Sequence, residues 1–248
     1  MSHWELVLFF FIVSFVYASV GFGGGSSYLA ILALYSLPFQ EIRLIALLCN
    51  IIVVTGGTII FIKKRQVNWK KILPVAIVSV PLAFLGARMK ISQNTFFIIL
   101  GCSLLVASIL LWIKTNYKKD IIIRQGTNVV RDSALGGGIG FLSGMVGIGG
   151  GIFLSPLLNL LNWDTPKKIA ATASFFILVN SISGIIGQLS RVHEQINSTR
   201  VLILCISVLI GGQIGSRIGT VKFDPLIIRR VTAALVFFAG MEVLVRHI

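Results

Sequence analysis

The residues best placed to do chemistry in this chain are glycines. Val20-Gly21-Phe22-Gly23-Gly24-Gly25 recurs 126 residues later as Val146-Gly147-Ile148-Gly149-Gly150-Gly151. Each block lies inside a long apolar stretch. Glycine lets the backbone leave the helix and leaves its amide groups uncovered. Where a helix restarts after such a break, its first N–H groups have no partner within it and carry a partial positive charge. That arrangement binds a small oxyanion without any titratable side chain. Gly23, Gly24 and Gly25 precede the apolar segment 26–34, and Gly149, Gly150 and Gly151 precede 152–160. Ser26 and Ser27 add hydroxyls on the first side. Close helix packing is the other use of small residues in membranes, but a repeated triple glycine exceeds what packing demands.

Polar side chains in the following segments extend the candidate site. Asn50 and Ser174 are matched polar positions one turn beyond Ala46 and Ala170, and Thr172 shares a segment with Ser174 and Asn180. Hydrogen bonding between helices explains any one of them as well as ligand contact does. Arg88 and Arg217 close two apolar runs at matched positions, where they either attract anions or snorkel to headgroups. His3, His193 and His247 sit at loops or ends, and Cys49, Cys102 and Cys205 lie apart. Neither set has metal-ligand or redox spacing. No cofactor or metal is expected, and no nucleophile–base pair points to an enzyme.

The elements that position these residues belong to a membrane. The chain has 248 residues, 56% hydrophobic and 12% charged, with a mean hydropathy of +0.94. Soluble domains carry about 25% charged residues. The apolar runs are 6–37, 42–62, 72–87, 95–113, 133–163, 169–189, 201–218 and 226–245. The apolar N-terminus lacks a basic region and cleavage site, so it reads as part of the mature protein. Net charge is +14, confined to short loops, as topogenesis and contact with anionic headgroups require. That distribution argues against nucleic acid as a partner. The expected partners are a small anion and the bilayer, in a multi-pass cell-membrane protein. Self-association into a homo-oligomer stays open.

The first and fifth runs, each about 30 residues, are too long for one straight crossing: such a helix would measure ~45 Å against a hydrocarbon core of ~30 Å. Each is either a broken crossing or a re-entrant hairpin of two half-helices. If they cross, 13 of the 22 Lys and Arg fall on one side; if they re-enter, 16 do. The positive-inside rule favours the hairpins. Each half then makes three crossings, and the two repeats are inverted relative to one another.

Further matches support duplication. Leu85-Gly86-Ala87-Arg88 pairs with Ile214-Gly215-Ser216-Arg217, and Arg43 stands opposite Lys167. The expected organisation is a first repeat over 1–113, a basic linker over 114–131 and a second repeat over 132–248. The eight acidic residues all fall at or near segment ends. A buried carboxylate relay is therefore not expected. The membrane potential, worth ~2.3 kcal/mol per charge per 100 mV, is an alternative driving force for moving an anion outward, a hypothesis that current measured at varied potential without a proton gradient tests.

With these residues in place, the chain resembles the TauE/SafE sulfite-exporter family. The resemblance rests on Gly147–Gly151 followed by Pro156, the block at Gly21–Gly25, the element ending at Arg88, and Ala46–Asn50 with Ala170–Ser174. It covers nearly the whole chain. It implies a secondary transporter of small anions, sulfite or organosulfonates, in the cytoplasmic membrane. Ala30 stands where the second copy has Pro156, so the two half-sites are not equivalent. The fold expected is all-α and polytopic, with two inverted repeats working by alternating access. An anion channel and a carrier of small carboxylates are the alternatives.

Overall fold

The computed structural model describes residues 4–19, 22–35, 37–116, 128–189, 197–222 and 225–247. Val20 and Gly21 of the first glycine block, and most of the basic linker, lie outside them. The described residues form ten helices in two runs of five and no strand. The first run is α1 (Trp4–Ser19), α2 (Gly25–Ala33), α3 (Phe39–Lys63), α4 (Trp69–Arg88) and α5 (Gln93–Asn116). The second is α6 (Val129–Val146), α7 (Gly151–Leu160), α8 (Pro166–Leu189), α9 (Ser198–Lys222) and α10 (Pro225–His247). In each run a helix stops at the glycine block, a short helix restarts from it, and three long helices follow.

Local sequence sets the boundaries. Asn128 caps α6 by accepting from the Arg131 N–H (3.1 Å), as an N-cap side chain should. Gly147 ends α6 in the left-handed conformation, φ +83°, a conformation that costs glycine little. Gly150 reopens the chain as the N-cap of α7, at φ +80°. Gly24 does the same for α2, at φ +82°. The sequence places the half-helices one residue late: both begin at the last glycine of their block.

Packing is reciprocal between the runs. α6 lies along α4 and α1 along α9; α3 crosses α8; α4 meets α8 as α3 meets α9; α5 pairs with α10. Small residues make the tight seams. A Cβ at Gly136 would meet the Val75 carbonyl at 2.5 Å, and one at Gly140 the Ser79 carbonyl at 2.6 Å. Gly144 presses in the same way on the Ala83 carbonyl. Across the molecule, Gly211 and Gly215 of α9 sit against the Phe11 and Phe15 carbonyls of α1. Helices in lipid gain contact mainly by such close approach, because burying apolar surface earns nothing there.

The outer faces are apolar. Ile77, Leu85, Val106, Trp112, Ile186 and Leu202 are exposed, which suits a lipid surface. Five helices among the described residues are long and apolar enough to cross a membrane: α3, α4, α5, α8 and α9.

Polar contacts fix which helix ends lie together. The Trp163 indole N–H, just after α7, donates to Asp132 Oδ2 in the first turn of α6 (2.9 Å). Lys71 Nζ, in the first turn of α4, lies 3.3 Å from Asp164 Oδ2, just before α8. Arg200 Nη1, in the first turn of α9, is 2.8 Å from Glu41 Oε1, in the first turn of α3. In the first run, Phe10 of α1 stacks on Tyr28 of α2 with ring centroids 4.7 Å apart. The acidic side chains Glu41, Asp132 and Asp164 are buried but at helix ends, each beside a cation.

A candidate anion site where two broken helices meet

The two glycine blocks come together. One small, partly open pocket is lined by Tyr17, Gly23–Ser26, Asn50, Ile148, Gly151 and Ile177, among others. The N-termini of α2 and α7 both open onto it, and neither has a side-chain cap. The first N–H groups of each helix thus lack the usual side-chain acceptor. Two partial positive ends converge on one pocket.

Asn50, on α3, is the side chain at the centre. It is fully buried, and its Nδ2 donates to the Ile148 carbonyl in the opposite glycine block (2.8 Å). Gly23, Gly25 and Gly149 all press against its amide: an added Cβ would collide with Asn50 at each. Its Oδ1 is buried and has no hydrogen-bond partner. Ser26 stays buried at the start of α2, and Tyr17 Oη and Ser27 Oγ share a 2.7 Å hydrogen bond beneath it.

The equivalent position in the second run is Ile177. Its side chain presses on Gly149, Gly151 and, across the interface, Gly23. Asn50 touches Gly23, Gly25 and, across the interface, Gly149. The match follows from chain geometry, because α7 is one residue longer than α2, so α8 starts 127 residues after α3. The sequence match of Asn50 to Ser174 is therefore displaced by about one turn. Thr172 and Ser174 are buried on α8 but do not line the cavity. Ser181, one turn beyond Ile177, brings its Oγ within 2.9 Å of a Cβ built at Gly149.

The glycines divide by role. Gly23, Gly24, Gly25 and Gly151 line the cavity. Gly149 adjoins Asn50 but is held at φ +83°. Gly150 faces away, toward Phe176, Ile139 and Ser143.

The matched arginines are not brought to the site. Arg88 is exposed at the end of α4 and lies over its own Phe84 ring, 5.4 Å from the centroid. Arg217 is exposed near the end of α9. Among the described residues the buried cation is Arg43, two turns before Asn50 on α3. Its Nη2 donates to the Gly144 carbonyl (2.8 Å) and, more weakly, to the Ala87 carbonyl (3.4 Å). It thereby caps the C-terminal turns of α6 and α4, where cations are favoured. A charge inside an apolar run marks a functional position by default, and that signal was available in the sequence at Arg43. Lys167, its proposed match, is exposed. Among the described residues, no three His, Cys, Asp or Glu side chains are grouped to hold a metal.

Apolar membrane-length helices, interrupted helices and an uncapped double N-terminus at their meeting point define a membrane transporter. The match to the family described as sulfite exporter TauE/SafE runs over residues 6–243, and the chain belongs to that family. It is 32% identical over 241 residues to the probable membrane transporter protein y4hK of Sinorhizobium fredii, covering 96% of this chain and 97% of that one. It is 27% identical over 246 residues to the probable membrane transporter protein YunE of Bacillus subtilis, covering 88% and 89%. A probable membrane transporter protein of Methanocaldococcus jannaschii is 25% identical over 192 residues, covering 73% and 70%. No solved structure matches the chain.

Proposed function

We propose that this protein is a cell-membrane exporter of a small anion, sulfite or a related sulfur oxyanion or organosulfonate, working by alternating access between two inverted repeats. The observation that carries the reading is the meeting of two uncapped helix N-termini at Asn50. Backbone N–H groups and helix dipoles supply the positive potential, so the site needs no fixed cation.

The ion pairs support the inverted arrangement. If α6 and α7 formed one crossing, Asp132 and Trp163 would stand on opposite sides, ~45 Å apart along a helix. They are hydrogen-bonded instead. A hairpin that re-enters returns α8 to the side from which α6 began. The Lys71–Asp164 and Arg200–Glu41 pairs each then join two helix ends on one side. In the crossing arrangement each pair would span the bilayer. Each repeat contributes one hairpin and three crossings, with α10 as the sixth by its length. The exposed Asn162 and Lys64 test this as single cysteines. An impermeant maleimide should label Asn162→Cys and Lys64→Cys from the same face, and labelling from opposite faces would overturn the hairpins.

Saturable counterflow of radiolabelled sulfite in proteoliposomes tests the transport reading. Flux that rises linearly with concentration favours an anion channel, and counterflow of formate or acetate in its place favours a carboxylate carrier.

A further inference from the structure

We infer that the site selects an anion that itself carries an O–H or N–H donor, and that Asn50 Oδ1 is the acceptor that reads it. The inference rests on the anion site proposed above and deepens it. A bare oxyanion offers only acceptors. It would satisfy the N-termini of α2 and α7 but leave Asn50 Oδ1 facing it, oxygen against oxygen. That oxygen is buried and has no partner, and it belongs to a side chain that lines the cavity. A buried acceptor without a donor carries its full desolvation cost.

The amide cannot escape by turning over. Its Nδ2 is held by the Ile148 carbonyl at 2.8 Å. Exchanging the two atoms would set Oδ1 against that carbonyl oxygen, with no proton between them. The orientation is thus fixed by the second glycine block, and the free oxygen is directed at the first, over Gly23. Across the pseudo-symmetric site Ile177 offers only methyl and methylene groups. The site therefore sets an unpartnered amide oxygen on the α3 side against an aliphatic wall on the α8 side, and a ligand with a donor is oriented toward Asn50. A singly protonated sulfur oxyanion meets this description, as does a sulfonate bearing a hydroxyl or amino group. In the first case the proton travels on the ligand, and no carboxylate relay is required.

The test compares isethionate with 1-propanesulfonate, equal in charge and heavy-atom count but differing by a hydroxyl for a methyl. Binding to the purified full-length protein in detergent is read by calorimetry. Isethionate should bind about tenfold tighter or more, the penalty for leaving a buried acceptor unpaired. The preference should vanish in Asn50→Leu. Equal affinities in the wild type, or a preference that survives in Asn50→Leu, would overturn the inference. A second arm needs no variant: sulfite should bind more tightly as pH falls and it takes up a proton, whereas sulfate, dianionic throughout, should not change. A sulfite affinity that stays flat or weakens would also overturn it. If no sulfonate, sulfite or sulfate binds at all, the anion site itself fails, and this inference fails with it.

Discussion

The two halves of the cavity are built from the same backbone and finished with different side chains. Each supplies a glycine break and an uncapped helix start. Each then lays a long helix across the break, and here they part: α3 presents Asn50, whereas α8 presents Ile177. The second break is also the more constrained, with Gly147, Gly149 and Gly150 all at positive φ against Gly24 alone in the described part of the first. One half therefore meets its break with an aliphatic side chain and a more constrained backbone, and the other with a buried amide oxygen that has no partner. On the proposed reading, a duplicated scaffold would supply symmetry for the motion, and divergence at one pair of positions would give the ligand a direction.

Substitutions can break that contrast in order of effect. Gly150→Leu forces a side chain onto a left-handed backbone and into the Phe176 ring. It should cost about 4 kcal/mol of stability and lower the melting temperature or yield sharply. Ile177→Ala empties a buried volume on the structural side. A loss of about 3 kcal/mol is expected, read as a melting shift much larger than any change in the affinity of the remaining anion site. Asn50→Leu should do the reverse. It strips the Ile148 carbonyl of its donor but also removes an unpartnered acceptor, so its melting temperature should fall less than that of Ile177→Ala while discrimination between donor-bearing and donor-free anions falls by about tenfold.

The smallest effect falls at the ion pair that joins α4 to α8. Burial works against the Asp164 carboxylate, but the Thr165 N–H together with Lys71 and Lys168 outweighs it and holds the pKa below the usual carboxylate value. With a folded-state pKa lower than the unfolded one, the stabilisation is present above the unfolded value and is lost as pH falls through the folded one. Asp164→Asn should therefore cost about 1 kcal/mol at neutral pH. The gap in melting temperature between variant and wild type should close in acid.

Much of this arrangement was legible in the sequence. Triple glycines in apolar runs announce broken helices, because nothing else in such a run would leave the helix, and the breaks fall where expected. Asn50 stood out as an amide in an apolar segment. Its counterpart did not, since a search for a matching polar residue finds Ser174, and only the extra residue in α7 brings Ile177 into place. Arg88 and Arg217 match one another in sequence, yet both are exposed near helix ends. Arg43 is the cation that the fold buries, and its role as a cap on two helix ends depends on contacts 44 and 101 residues away. Spacing within one segment cannot reveal such contacts.

Sulfite-dependent thermal stabilisation of the wild type, Gly23→Ala and Gly57→Ala tests the central claim most directly. A Cβ at Gly23 would intrude on the Asn50 amide, whereas one at Gly57 meets nothing within 4 Å. The account predicts that sulfite raises the melting temperature of the wild type and Gly57→Ala but not that of Gly23→Ala. An undiminished rise in Gly23→Ala would contradict it and place the anion elsewhere in the molecule.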